Sequence, residues 1–414
     1  MEPHGRTVEG CEKAEPLPSD PAASSPPVRS TEHNAKAVSI LDACKGGDIT
    51  TLRTLAASEG GLVSDEVRRH AWPLLLGYND HEGELQQQEK QPTNAWRALP
   101  KHRDEDQVRL DVDRSFIYYP NDQSSADLDR RKEELSDLIT EVLRSQPYLC
   151  YFQGYHDICQ VFLLVLEPRS RAAAVARLST LRIRDFMLPT LAPALAQLHL
   201  IPAILHAVDP KLCAHLSLTQ PFFALSGTLT MYAHDIQEYG EIARLFDVLL
   251  AREAVFSVYM FAQIVLQRSN ELFETPADEP EMLHSILSKL PKPLNIEELI
   301  ANTVNLFEKY PPERLITWRL ISSSSVLKTA RWPEQTINQS LEEGEMYFKK
   351  QVKELQRQEQ RDKLIRLVRQ YRRPAGTIGL AVLVGVLSFY LRKNSGPSSF
   401  LGALWRQWSG YKGH

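Results

Sequence analysis

The sequence predicts an all-α fold, and three observations carry that prediction. Apolar residues return at helical spacing: Leu135, Leu138, Ile139, Val142 and Leu143 fall at i, i+3, i+4, i+7 and i+8, one stripe of an amphipathic helix. Later segments such as "YGEIARLFDVLLA", "FSVYMFAQIVLQ" and "NIEELIANTVNLFEKY" keep the same period, while the alternation of a half-buried strand is scarce. Cap residues and breakers then divide the chain at helix-length intervals. No internal repeat of fixed period is present.

Taken in order, the first segment opens with six prolines in 27 residues, mixed with Ser, Glu and Ala. Such a composition buries too little apolar surface to offset the entropy of ordering. We therefore expect disorder over residues 1–35 and a helical domain over 36–320. Short helices begin with "NAKAVSILDAC", followed by "ITTLRTLAA" behind Asp48 as N-cap, with Gly60 and Gly61 as a break. Ser64 is placed to cap "DEVRRHAWPLLLG", whose acidic first turn suits the positive end of a helix. Residues 78–107 are polar and without period, which predicts a long loop of the kind often tied to function. The stripe of Leu135 to Leu143 stops before Pro147, and helical patterns continue to Pro312, where the core signal fades.

Residues 321–374 are charged and end in the basic "RDKLIRLVRQYRR". The run "AGTIGLAVLVGVLSFYL" over 375–391 then has no charge in 17 residues and is followed by Arg392 and Lys393. As a helix it spans about 25 Å, close to the thinner bilayers of about 27 Å. We expect a single membrane span here, with the excess of Lys and Arg before it keeping the large domain cytosolic. Residues 392–414 would be a short lumenal tail, whose Phe400, Leu401, Leu404, Trp405 and Trp408 suit an interface. The competing readings are a buried core helix for the run and a solvated or lipid-binding helix for the basic segment.

Composition narrows the function. A net charge of −4 and the absence of RNA-binding or finger-like signatures speak against nucleic acid as a partner. Cys11, Cys44, Cys150, Cys159 and Cys213 are odd in number and irregularly spaced, which reads as reduced thiols with no metal site. The first thirty residues hold no apolar run of the kind a secretory signal requires.

Two stretches could carry chemistry. "VRLDVDRSF" places Asp111 and Arg114 three apart, which by itself is an ordinary surface ion pair. "YFQGYHDICQVFLLVL" sets Gln153, Asp157 and Gln160 at i, i+4 and i+7 of an otherwise apolar helix. Such a line is costly in a dry core unless each group is bonded; it faces a groove or it is a set of satisfied amides. His156-Asp157, His234-Asp235 and His102 allow a rival reading as a metal phosphohydrolase of the HD type.

Taken together and in this order, "VxxDxxR" (Val108, Asp111, Arg114) and "YxQG" (Tyr151, Gln153, Gly154) resemble the signature pair of the TBC domain, the GTPase-activating module for Rab GTPases. "RRHAWPLLLG" over 68–77 and "ARLFDVLLA" over 243–251 are similar to two further helices of that family. Ser115 and Tyr155 stand where the family more often has Thr and Met. The resemblance implies that Arg114 is an arginine finger and that Gln153 aims the attacking water in trans, with Asp111, Tyr151, Gly154 and Asp157 in support. A planar, always charged guanidinium suits the charge that builds on a transferring phosphoryl group. It also implies a GTP-bound Rab as partner, no cofactor of the chain's own, and GTP and Mg carried by the GTPase. "QGYHD" with a C-terminal span looks like the tail-anchored subgroup of the endoplasmic reticulum, active on Rabs of early secretory traffic. The alternative from another class is a non-catalytic, membrane-anchored Rab-binding scaffold.

Overall fold

A computed structural model describes the backbone of residues 28–78, 95–120 and 124–394, and the side chains within these except at 28–32, 368–381 and 390–394. Among the described residues every regular element is helical.

The chain enters through α1 (Val28–Gly46), α2 (Ile49–Ala57) and α3 (Asp65–Leu75), which pack on one another. Asp48 caps α2 by accepting from the Thr51 amide at 3.0 Å. Ser64 occupies the N-cap position of α3 without a side-chain cap bond, so the acidic pair Asp65 and Glu66 serves that end instead. α4 (Glu105–Val112), α5 (Ser125–Ser145), α6 (Tyr155–Val165) and α7 (Pro168–Leu181) follow. α6 is the central helix: Ile158, Cys159, Val161, Phe162 and Val165 are fully buried, and α3, α4, α5 and α7 all pack against it. Burial on nearly every side explains why its sequence reads as an apolar run without a polar face.

Beyond lie α8 (Ala192–Leu198), α9 (Leu200–Val208), α10 (Tyr239–Ala251), α11 (Phe256–Gln267) and α12 (Ile296–Lys309), joined by shorter helical turns. Trp72, Phe162 and Phe246 form an aromatic cluster with ring centroids 5.5 to 5.9 Å apart. Beside it Asp247, fully buried, accepts from Arg68 Nε and Nη2 at 3.0 Å, Trp72 Nε1 at 2.8 Å and the Leu62 amide at 3.0 Å. The two outlying motifs of the sequence, "RRHAWPLLLG" and "ARLFDVLLA", are thus the two halves of one buried polar network.

The C-terminal helix α13 (Leu341–Asn394) runs from the helical body outward. Its base is part of the core. Gln351 donates to Asp185 at 2.9 Å and accepts from the fully buried Arg184 at 3.1 Å. Asp185 also takes Ser325 Oγ and the Val326 amide, so one buried pair ties together segments that lie far apart in sequence. Gly344 lies directly against Thr180 and Leu181 of α7, where a side chain would collide.

Several sequence boundaries are corrected. Residues 28–35, expected to be disordered, are helical from Val28, just after the last of the early prolines; residues 1–27 lie outside the described residues. The long polar segment includes a turn at Ala95–Ala98 and the start of α4 at Glu105, with 79–94 outside the described residues. The body does not end near 320: Trp318, Ile321, Val326, Leu327 and Phe348 are buried, in short segments that give no sustained periodicity. Among the described residues no helix is long and apolar enough to cross a membrane. The run 375–391 falls only partly within them, since side chains are described only for 382–389, which are exposed. Residues 395–414 lie outside.

Candidate catalytic cleft

A cleft of about 510 Å³ opens between the loop after α4, the N-terminus of α6 and the turn at 226–234. Its lining includes Arg114, Gln153, Gly154, Asp157, Gln160 and His234. Residues from the two sequence stretches therefore meet on one surface.

Arg114 lies just past the end of α4, which turns after Val112 and carries the side chain to the cleft edge. Its guanidinium is 61% exposed and donates to Asp111, which is 0% exposed. Asp111 also accepts from Tyr151 Oη at 2.9 Å and Gln107 Nε2 at 3.1 Å. A buried carboxylate held by three donors cannot rotate freely, so it fixes the stem of an otherwise mobile arginine. Burial first, then Asp111, raises the pKa of Tyr151 far above that of an ordinary phenol and keeps it a donor.

Gln153 is exposed, and its carboxamide has no hydrogen-bond partner among the described residues. It precedes α6: the N-cap is Gly154, at φ 100°. The sequence places Gln153 on the helix; the left-handed glycine instead turns it out of the helical register toward the cleft. A Cβ on Gly154 would stand 2.6 Å from Thr230 Cγ2, so the glutamine loop is seated tightly on the opposite wall.

Asp157 and Gln160 divide the two readings of the polar line. Asp157, on the first turn of α6, accepts from His234 Nδ1 at 3.0 Å and stands 3.3 Å from His156 Nε2. Gln160 is a satisfied buried amide: it accepts from the Phe116 amide at 2.9 Å and donates to the Tyr119 carbonyl at 3.3 Å. It thereby pins the arginine loop to α6. Phe116, Met231 and Tyr232 all have positive φ without being glycine, backbone strain that gathers on the two walls of this cleft.

The hydrogen bond to Asp157 holds the His234 pKa above the usual imidazole range, while burial depresses that of His156. His102 lies elsewhere, with Nε2 at 3.1 Å from the Leu149 carbonyl. Among the described residues no group of three or more His, Cys, Asp or Glu side chains is arranged to hold a metal ion, so nothing here favours the phosphohydrolase reading. Thr230 is among the cleft residues that sequence reasoning passed over, and His234 entered it only in the rival metal reading. The only available signal was the dipeptide His234-Asp235, which pointed to a metal.

Among the described residues the body is all-helical and presents Arg114 and Gln153, both exposed, on one cleft. Residues 65–273 match the family model for the Rab-GTPase-TBC domain. The chain is 36% identical over 270 residues to TBC1 domain family member 20 of Bos taurus, an alignment covering 65% of each chain. It is 34% identical over 316 residues to GTPase-activating protein gyp10 of Schizosaccharomyces pombe, covering 75% of this chain and 82% of that one. The crystal structure of the Ypt/Rab-GAP domain of Gyp1p superposes with a TM-score of 0.52 at 16% identity, covering 63% of this chain and 93% of that one, a likeness of fold. The chain belongs to the Rab-GTPase-TBC domain family. It spans 65% of the length of the bovine relative.

Proposed function

We propose that this protein accelerates GTP hydrolysis on a Rab GTPase by inserting Arg114 and Gln153 into the partner's active site. The observation that supports the reading is their pairing on one cleft: Arg114 is exposed but steered by buried Asp111, and Gln153 is exposed and unbonded within the described chain. Arg114 neutralises charge developing on the γ-phosphoryl oxygens and the β-γ bridge. Gln153 accepts a hydrogen bond from the attacking water at Oε1 and donates from Nε2 to the phosphate. The chain brings no cofactor of its own; GTP and Mg belong to the GTPase. Asp111 and Tyr151 orient the arginine, while Gly154 and Asp157 seat the glutamine loop.

The run 375–391 is the membrane anchor in this reading, with the helical body cytosolic on the endoplasmic reticulum and the Rab one of early secretory traffic. The charge asymmetry around the run supports that orientation.

Single-turnover hydrolysis by a panel of GTP-loaded Rabs tests the proposal. The expected result is acceleration of one or a few Rabs by the wild-type chain, lost in Arg114→Ala and in Gln153→Ala. Binding of a GTP-loaded Rab without acceleration would instead establish the scaffold.

A further inference from the structure

A second surface lies apart from the cleft, around the turn Ile316–Leu320. Ile316 is 85% exposed and Leu320 79%, the two most exposed large apolar side chains among the described residues. They border an apolar groove of about 680 Å³ against α8 and α9, whose lining contains Arg314, His199 and His206 and no carboxylate. Leu320 also borders an adjoining hollow with Leu355, Arg357 and Gln358 of α13. Its carboxylates are already engaged: Glu354 with Ser322, and buried Asp185 with Gln351 and Gln197. Glu313, beside Arg314, is paired with Arg331.

The helix face that borders this hollow continues outward in the same register. Steps of three and four from Gln351 and Leu355 lead through Gln358, Arg361 and Ile365, and the sequence carries the register on to Arg369 and Arg372; of the nearby acids Glu359 is paired with Lys363, and Asp362 adjoins Arg361. Arg319, Arg357 and Arg361 are exposed. Among the described residues this side thus combines two protruding aliphatic side chains with three exposed arginines, Arg319, Arg357 and Arg361, at the place where α13 leaves the body. From Gln358 to the start of the apolar run is roughly 25 Å of helix at 1.5 Å per residue. Pro374 lies within α13 at the junction, where the missing amide interrupts the hydrogen-bond ladder and permits a bend.

We propose that this side is a lipid-facing surface: Ile316 and Leu320 enter the headgroup region of an anionic bilayer while Arg319, Arg357 and Arg361 meet its phosphates, with α13 bent near Pro374. The proposal rests on the reading of 375–391 as the span, which puts the bilayer within reach of this side and favours lipid over an acidic protein. Basic residues flanking buried aliphatic side chains are the general requirement for interfacial binding. The surface holds the body down on the membrane and so fixes the height of the cleft above it.

The test uses the full chain carrying Leu320→Cys, labelled with an environment-sensitive fluorophore, with the labelled wild-type chain as background for the native thiols. It is reconstituted into phosphatidylcholine vesicles with and without phosphatidylserine, and insertion is scored by flotation. The expected result is a blue shift and protection from a soluble quencher that require phosphatidylserine and fade with salt, as the Debye length shrinks from about 10 Å at 0.1 M to about 3 Å at 1 M. Arg319→Glu and Arg361→Glu should each weaken the protection by about fivefold. Flotation with an unshifted, quenchable label overturns this surface and leaves the span. Absence of flotation overturns both. Protection already present in detergent, indifferent to lipid charge and salt, means that protein covers the patch and overturns the lipid assignment.

Discussion

At the scale of the residue, the cleft depends on carboxylates that aim cations. Asp111 is buried and takes three donors, so Asp111→Asn leaves one of them facing an amide NH₂ and frees Arg114. The proposed mechanism then expects about a 10²-fold loss in activation of the partner GTPase, with binding of the GTP-loaded partner largely kept. An unchanged rate would make Asp111 a packing residue only. His234 carries a pH dependence of known sign. Because Asp157 raises its folded pKa, the stabilisation from this pair is fully present below the unfolded value of about 6.5 and is lost as pH rises through the raised folded value. His156, depressed by burial, acts in the opposite direction. Thermal melts of His234→Gln against wild type from mildly acidic to mildly alkaline pH should therefore converge as pH rises; curves that stay parallel would dissociate His234 from the pair. Arg114 and Gln153 stand in short motifs that the local sequence displays, and the fold brings both to one cleft. The partner of Asp157 was not, since 77 positions separate it from His234 and no local pattern encodes such a contact.

At the scale of the element, the N-terminus of α6 carries the decisive geometry. Gly154 combines a positive φ with a wall 2.6 Å from its absent Cβ. Gly154→Ala should cost more than about 1 kcal/mol in unfolding free energy and disturb Gln153. Thr230→Ser removes the opposing methyl and keeps the hydroxyl that bonds the Ser226 carbonyl. If the clash rather than backbone strain dominates, the double variant recovers a large part of the loss in a denaturant melt, and additivity of the two would refute that division. The helix itself was evident from its apolar run. Its start was not, because a line of polar residues at i, i+4 and i+7 looks the same whether the first of them is inside the helix or turned out before it. Gln160 shows the other side of that ambiguity: an amide with two backbone partners and one left free give the same letter.

At the scale of the whole molecule, two buried polar hubs join distant segments. Asp247 holds α3 to α10, and Asp247→Ala leaves buried Arg68 with only the partly exposed Asp65 and strips Trp72 Nε1 and the Leu62 amide of their acceptor, which should destabilise the fold by about 3 kcal/mol. Asp185 and Arg184 hold the base of α13. Ending the chain at 340 removes both Gln351 and Phe348, whose ring lies 5.0 Å from that of Tyr148, and so uncovers Tyr148, three residues before Tyr151. Such a chain should melt lower than one ending near 360 and activate the partner GTPase less; equal melting temperatures would show that α13 is only a stalk. The helical class, the order of the main helices and the motifs that carry Arg114 and Gln153 follow from the sequence alone, because periodicity and motif are local properties of the chain. The burial of Gln160, the outward turn of Gln153, the His234 contact and the inclusion of α13 in the body were decided by tertiary structure. Each depends on which distant group supplies a hydrogen bond or fills a space, and that is set only when the chain is packed.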